Sequence, residues 1–434
     1  MARLLFSLLG LDGVKDELVY DNRASTLTRK DGSLIRKTPG YLPADGVVYP
    51  QIHHVSPDSP GRKSGRPVRL KIQLGLGCNY SCSYCSQAAH KHEGEATNTR
   101  DVAGFMETLT AAITAAPDRI ELWGGEPLLY WKKILKLVPA LRQQWPESRI
   151  SMVTNASLLS DDKIDFIKEW DIKVTISHDG PGQDVRGADP FADGEWVRLV
   201  RRLFDEHGFN FHSVLTHKNL DIAVAVDWFR ERMGRNVVVN CEGVVNAHDT
   251  AHRLGDEALV ELTKRIFVQT VTGQLDGVPM IEMKLDNFFS SLSYQAPAER
   301  MGQKCQMDRE DYLAVDLKGN VLTCQTVGAG SMHKIGRLDR LDDVRLDTAW
   351  HWSKRPQCGD CPVLHFCYGA CMFLEDAEFE ATCRNEYAYN KGLLMAALYF
   401  LTGKVLQKIT MLDAPSGRSV GRRIIPIKSV EARP

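Results

Sequence analysis

From about residue 69 the chain alternates short β-branched runs with longer amphipathic segments. This alternation constrains the fold more than any other feature, because parallel strands joined by covering helices produce it. Arg69 to Gly75, Arg119 to Gly125, Arg149 to Asn155, Ile172 to Asp179, Asn210 to His217 and Asn236 to Val245 read as strands. Asp101 to Ala115, Trp131 to Gln144, Ser160 to Glu169, Trp196 to Glu206, Leu220 to Met233 and Asp256 to Val271 read as helices. Six such units are too few for a closed eight-stranded barrel. The right-handed crossover rule curls them into an open one, a partial (β/α)6 TIM-like barrel of the α/β class, with its chemistry at the C-terminal ends of the strands.

The flanks read differently. Residues 1–68, with DGSLIRKTPG and VSPDSPGRKSGRP, are expected to be an N-terminal extension of short strands and loops. The barrel is placed at 69–290. An irregular Cys-rich domain with little apolar core of its own follows at 291–400, then a basic, solvated tail at 401–434. Lys+Arg 54 against Asp+Glu 55 leaves a net charge of -1, so no global field steers the chain onto nucleic acid or an anionic membrane, and only a local basic patch is left open. MARLLFSLLG is too short for a signal peptide, and no stretch approaches the roughly 20 apolar residues of a membrane span; a soluble cytoplasmic protein is expected. In such a chain eleven Cys argue for metal ligands or reactive sulfur before disulfides.

Immediately after the first strand, GLGCNYSCSYCSQ places Cys78, Cys82 and Cys85 in a C-x3-C-x2-C arrangement on one loop. Three thiolates can hold three corners of a cubane iron-sulfur cluster, and with no fourth Cys nearby one iron stays open. Structural zinc would want four closed ligands, usually as CxxC pairs. This spacing, with the aromatic Tyr84 just before the third Cys, resembles the signature of radical S-adenosylmethionine (SAM) enzymes. The resemblance implies that SAM chelates the open iron through its amino and carboxylate groups. An electron, from a donor such as flavodoxin or ferredoxin, then cleaves the sulfonium and releases a 5'-deoxyadenosyl radical that abstracts hydrogen from substrate. Gly124, Gly125, Glu126 and Pro127 look like the family's GGEP, which binds the SAM amino group. Ser177 to Gly180 is similar to its ribose-contacting S-x-D-G, Arg186 stands where a SAM-contacting Arg often lies, and Asn155 is a further candidate. Ordinary strand-end turn chemistry also accounts for Asn155, Ser177 and Asp179.

Seven more Cys lie between Cys305 and Cys383: Cys305, Cys324, the C-x2-C-x5-C-x3-C group Cys358, Cys361, Cys367 and Cys371, and Cys383. Seven exceed one four-ligand site, so two sites are indicated. Their order resembles the SPASM extension of radical SAM enzymes, which carries two auxiliary clusters. The resemblance implies that Cys358, Cys361, Cys367 and Cys383 complete one, while Cys305, Cys324 and Cys371 hold the other, one ligand short. With the loop cluster this makes three [4Fe-4S] clusters. Asp311 lies about where some relatives place another Cys, but a carboxylate there reads first as a turn residue. A zinc ribbon over the dense group is the purely structural alternative. Cys241 remains as a core residue, with Glu242 beside it near the barrel mouth.

The resemblance implies an oxidoreductase or isomerase acting on an amino-acid side chain or α-carbon of a peptide, protein or other large substrate, by oxidation, cross-linking or epimerisation. The competing expectation is an isomerase or oxidase of an amino-acid-like group, free or attached to a nucleobase in DNA hypermodification, with the basic tail touching phosphates. An electron-transfer protein would need neither GGEP nor an open iron. His178, Asp179, His217 and Glu242 sit at strand ends without an assignable catalytic role.

Overall fold

The computed structural model describes residues 2–36, 51–243 and 253–413. The N-terminal segment is an antiparallel meander of β1 (Arg3–Gly10), β2 (Lys15–Asp21) and β3 (Thr26–Arg29). The apolar residues of the opening RLLFSLLG bury Leu4, Phe6 and Leu8 on one face, the period-2 pattern of a half-buried strand.

All six expected strands are present and parallel: β4 (Arg69–Gln73), β5 (Arg119–Trp123), β6 (Arg149–Thr154), β7 (Lys173–Ser177), β8 (Asn210–Val214) and β9 (Val239–Glu242), neighbours in sequence order. The crossovers carry α1 (Asp101–Ala112), α2 (Trp131–Gln144), α3 (Asp161–Glu169), α4 (Gly194–Glu206) and α5 (Ile222–Met233); α6 (Asp256–Val271) follows β9. Alternate strand residues, among them Ile120, Leu122, Ile150, Met152 and Ile176, are buried. Cys241 is a fully buried core residue of β9, as expected. Beyond the expected units lies α7 (Pro279–Tyr294), whose Phe288 stacks on Phe366 of the Cys-rich segment.

The Cys-rich segment, expected to have little apolar core of its own, joins the barrel's sheet. Its β10 (Tyr312–Asp316) pairs in parallel with β4, and β11 (Asn320–Leu322) and β12 (Lys334–Arg337) add antiparallel, so one nine-stranded sheet runs β12-β11-β10-β4-β5-β6-β7-β8-β9. All five residues of β10 are buried, as in a strand covered on both faces. The short helices α8 (Pro356–Gly359) and α9 (Leu364–Cys367) precede the 27-residue α10 (Asp376–Thr402), which packs on α6. Gly392 permits that approach, since a Cβ there would sit 2.7 Å from the Thr263 carbonyl. The core of this segment is therefore shared with the barrel.

The expected tail also needs correction. Gly403 ends α10 in the left-handed conformation, and β13 (Lys404–Met411) then pairs antiparallel with β1, burying Leu406 and Ile409 and closing the N-terminal sheet as β13-β1-β2-β3. The basic stretch after residue 413, which carried the expected phosphate contacts, lies outside the described residues. Among the described residues no helix is long and apolar enough to cross a membrane.

Candidate active site at the strand ends

The cysteine loop leaves β4 and is fastened by the ends of three neighbouring strands. Leu74 N–H donates to the Trp123 carbonyl. Gly125 N–H reaches the Gly75 carbonyl at 3.0 Å, and Glu126 N–H the Gly77 carbonyl at 3.0 Å. A Cβ on Gly125 would meet the Gly77 carbonyl oxygen at 2.3 Å, which explains the glycine in physical terms: backbone must touch backbone. The amides of the GGEP turn thus serve the cysteine loop. Tyr130, unmarked by any sequence signal, accepts the Gly77 N–H at 2.7 Å.

Glu126 is 1 % exposed. Its Oε1 accepts the Leu128 N–H (2.9 Å) and the Thr154 hydroxyl (2.5 Å), and its Oε2 the Asn155 N–H (2.7 Å). Burial pushes its carboxyl up despite these donors. The carboxylate therefore staples β5 to β6. Asn155 extends the staple, donating through Nδ2 to Asn79 Oδ1 inside the cysteine loop, while Asn79 Nδ2 donates to Ser157.

A second tie comes from β7. Tyr84 donates its hydroxyl to Asp179 Oδ2 at 2.6 Å and accepts from Arg186 Nη1 at 2.8 Å; Asp179 Oδ1 accepts the Val214 N–H. All three side chains are buried or nearly so. Arg186 also stands close enough to Cys82 to favour its thiolate, although burial still pushes that thiol up to about 11. Cys78 and Cys85 raise it further, which places the three thiols within electrostatic reach of one another. Ser177 ends β7 with a half-buried side chain.

His178 belongs to the core. Its Nδ1 accepts the Gly180 N–H, so Nε2 is the nitrogen directed at Asp189, and the ring lies against Trp228 and Phe191. His217 is exposed.

Glu242 does reach the barrel mouth, where it joins a charged group the sequence did not announce. His212 on β8 lies 3.3 Å from Glu242 Oε2, and Lys304 bridges Glu242 (3.7 Å) and Glu386 of α10 (2.7 Å). Burial pushes the Glu242 carboxyl up, but His212 and Lys304 outweigh it and hold the group at about 2. Its side chain keeps 38 % of its area accessible, so it faces an open recess although the chain surrounds it. Behind it Lys284 donates to Asn390 and to the Phe366 carbonyl, and burial lowers its ammonium to about 8.

The seven later thiols fall into two groups. Cys358, Cys361, Cys367 and Cys383 line one small cavity of about 20 Å³ with Val363, Leu364 and Phe379. Cys371 is instead raised, to about 12, by burial and then by Cys305 and Cys324. Asp311 has both carboxylate oxygens held by Arg309, at 2.8 and 2.5 Å. No disulfide joins any of the eleven Cys.

The parallel strands and the three-thiol loop have the form of a radical SAM domain, and the Cys-rich C-terminal segment fits an auxiliary-cluster domain. Residues 72–221 match the family model described as the radical SAM superfamily. The radical SAM cyclopropyl synthase TigE of Paramaledivibacter caminithermalis is 25% identical over 181 residues, 37% of this chain and 38% of that protein. A probable GTP 3',8-cyclase of Thermoplasma volcanium is 32% identical over 96 residues, 22% and 28% of the two chains. The chain thus spans under two fifths of the length of these curated relatives. The solved structure of anSMEcpe with bound AdoMet has the same fold, with a TM-score of 0.58 at 18% identity, covering 78% of this chain and 98% of that one. Its complex with AdoMet and a Cp18Cys peptide gives 0.57 at 18% identity over 77% and 98%.

Proposed function

We propose that this chain is an enzyme that uses SAM to abstract hydrogen from an amino-acid side chain or α-carbon of a peptide or protein, with oxidation, cross-linking or epimerisation as the outcome. One observation carries the reading: three thiols within electrostatic reach sit on a loop that strand ends β5, β6 and β7 all hold. Cys78, Cys82 and Cys85 would hold the SAM-binding cluster, which with SAM supplies an electron and a primary carbon radical when both are bound. Tyr84, Gly124, Gly125, Asn155, Ser177 and Arg186 would serve SAM there. Glu126, spent on Thr154, Leu128 and Asn155, acts on SAM indirectly by ordering the turn. The outward-facing Glu242, His212 and Lys304 would meet the polar backbone or charged groups of the substrate. A peptide is favoured because a protein of the same fold is known with AdoMet and a peptide bound together. The nucleobase alternative draws only on sequence relatives named for nucleotide chemistry, such as the GTP 3',8-cyclase, matched over 22% of this chain.

Cys358, Cys361, Cys367 and Cys383 would hold one auxiliary cluster and Cys305, Cys324 and Cys371 a second, giving three per chain, reduced through a flavodoxin or ferredoxin. A closed structural zinc site wants four ligands, usually as CxxC pairs, whereas the strand-end loop offers three thiols of unequal spacing. Anaerobic reconstitution should give about 12 iron per chain, four from each thiolate-held cluster. Replacing Cys78, Cys82 and Cys85 together by Ala should remove about a third of it and all 5'-deoxyadenosine formation. Persistent 5'-deoxyadenosine in that variant would refute the site. Incubation with deuterated peptides should carry deuterium into 5'-deoxyadenosine; transfer from deuterated nucleosides alone would favour the alternative.

A further inference from the structure

We infer that Asp308 is the fourth ligand of the auxiliary site of Cys305, Cys324 and Cys371, its Oδ1 binding the iron those thiols leave open. This rests on the assignment of the three thiols to one cluster made above.

Asp308 is 3 % exposed. Its Oδ2 accepts the Gln303 N–H at 3.2 Å, while Oδ1 is fully buried with no hydrogen-bond partner. A buried carboxylate oxygen left bare costs on the order of several kcal/mol, so such an oxygen calls for a cation or a proton. The nearby cation does not satisfy it. Lys63, itself buried, donates to the Met307 carbonyl at 2.6 Å and the Arg309 carbonyl at 2.9 Å, the two that flank Asp308. Lys63 therefore clamps the turn and leaves the carboxylate for something else.

That turn is the one carrying the first thiol of the set. Gln306 N–H closes on the Gln303 carbonyl at 3.0 Å, and the Met307 amide is hydrogen-bonded to Cys305. Asp308 is among the charges that act on the Cys305 thiol, and Cys305 and Cys324 are among those that act on Cys371. One orphaned hard donor thus acts on Cys305, three residues before it in the same turn, and Cys305 in turn acts with Cys324 on Cys371. Asp311, the residue that the order of the motif suggests, is partly exposed and already pairs both oxygens with Arg309. A carboxylate at one corner of a thiolate cluster makes that iron the labile one and sets the cluster's potential apart from an all-thiolate neighbour.

The test uses the full chain with Cys78, Cys82 and Cys85 replaced by Ala, reconstituted anaerobically with 57Fe and sulfide, and read by iron analysis, Mössbauer and EPR spectroscopy. Asp308→Asn keeps the size and the acceptor for Gln303; it should lose about one iron per chain and give a three-iron EPR signal the parent lacks. Asp308→Cys should restore four irons, lower the potential and abolish the response to added cyanide. Asp311→Asn should match the parent. An Asp308→Asn protein with the parent's iron, spectrum and potential would overturn the inference and leave Asp308 a protonated buried acid. If Asp308→Asn does not fold, Asp308→Cys decides alone, and a parent-like cyanide response there overturns it. Cys371→Ala separates this from the underlying reading, for it should lose about four irons; if it retains all of them, the three-thiol assignment is what fails.

Discussion

The loop at residues 78–85 and the segment from 305 to 383 both gather cysteines, yet they are built in opposite ways. The first is eight residues long and half-exposed, and strand ends hold it from outside through backbone amides, Tyr84 and Asn79. The second draws thiols from across 79 residues, and Cys324, Cys358 and Cys361 lie within the hydrophobic core itself. The difference teaches that the loop is a graft on a finished sheet, whereas the later cysteines are part of what makes their segment fold.

The sharpest way to break this comparison is to remove each set. Replacing Cys358, Cys361, Cys367 and Cys383 together by Ser should cost several kcal/mol and lower the melting temperature by about 10 °C or abolish folding, because metal binding at a buried site is folding energy and four hydroxyls replace it in an apolar cavity. The loop triple variant should melt within about 3 °C of the parent. Equal losses in calorimetry would erase the distinction.

Acid should act on the later segment first. Burial lowers His351 to about 3 and His365 to about 4. The unfolded chain protonates these rings near pH 6.5 and the folded chain does not. Their contribution is therefore complete above about pH 6.5 and is lost as pH falls toward 4 and 3, on the order of 3 kcal/mol for each group. His365 Nε2 lies 2.9 Å from the Asn22 carbonyl, so the contact with the N-terminal sheet should loosen in step. Urea unfolding at pH 7 and pH 5 measures this, and His365→Gln should flatten the dependence.

Gly125→Ala comes next. Its methyl group would press on the Gly77 carbonyl at 2.3 Å, which should cost about 2 kcal/mol as overpacking and displace the cysteine loop. Iron should be lost from the loop alone, with the auxiliary spectra unchanged. Tyr84→Phe should be smallest, about 1 kcal/mol, since Asp179 keeps the Val214 amide and Arg186 nearby. A SAM cleavage rate reduced a few-fold, with full iron, would show that the tie positions the loop; an unchanged rate would show it to be dispensable.

What the sequence determined by itself was short-range. Period-2 runs and amphipathic helices placed β4 to β9 and α1 to α6 within a few residues, and the C-x3-C-x2-C spacing marked a single loop, because neighbouring residues report on one another. Tertiary structure decided the rest. Only the sheet edge shows that β10 docks on β4 about 240 residues away and that β13 completes the sheet begun by β1. Only packing shows Glu126 and Asn155 as staples, His178 as a core ring, and Cys358, Cys361, Cys367 and Cys383 around one cavity. The bare oxygen of Asp308 likewise exists only because Lys63, 244 residues from Met307 in the chain, spends its ammonium on the flanking carbonyls. Pairing across an edge and satisfaction of a buried polar atom depend on which distant segments meet, and no local pattern encodes that.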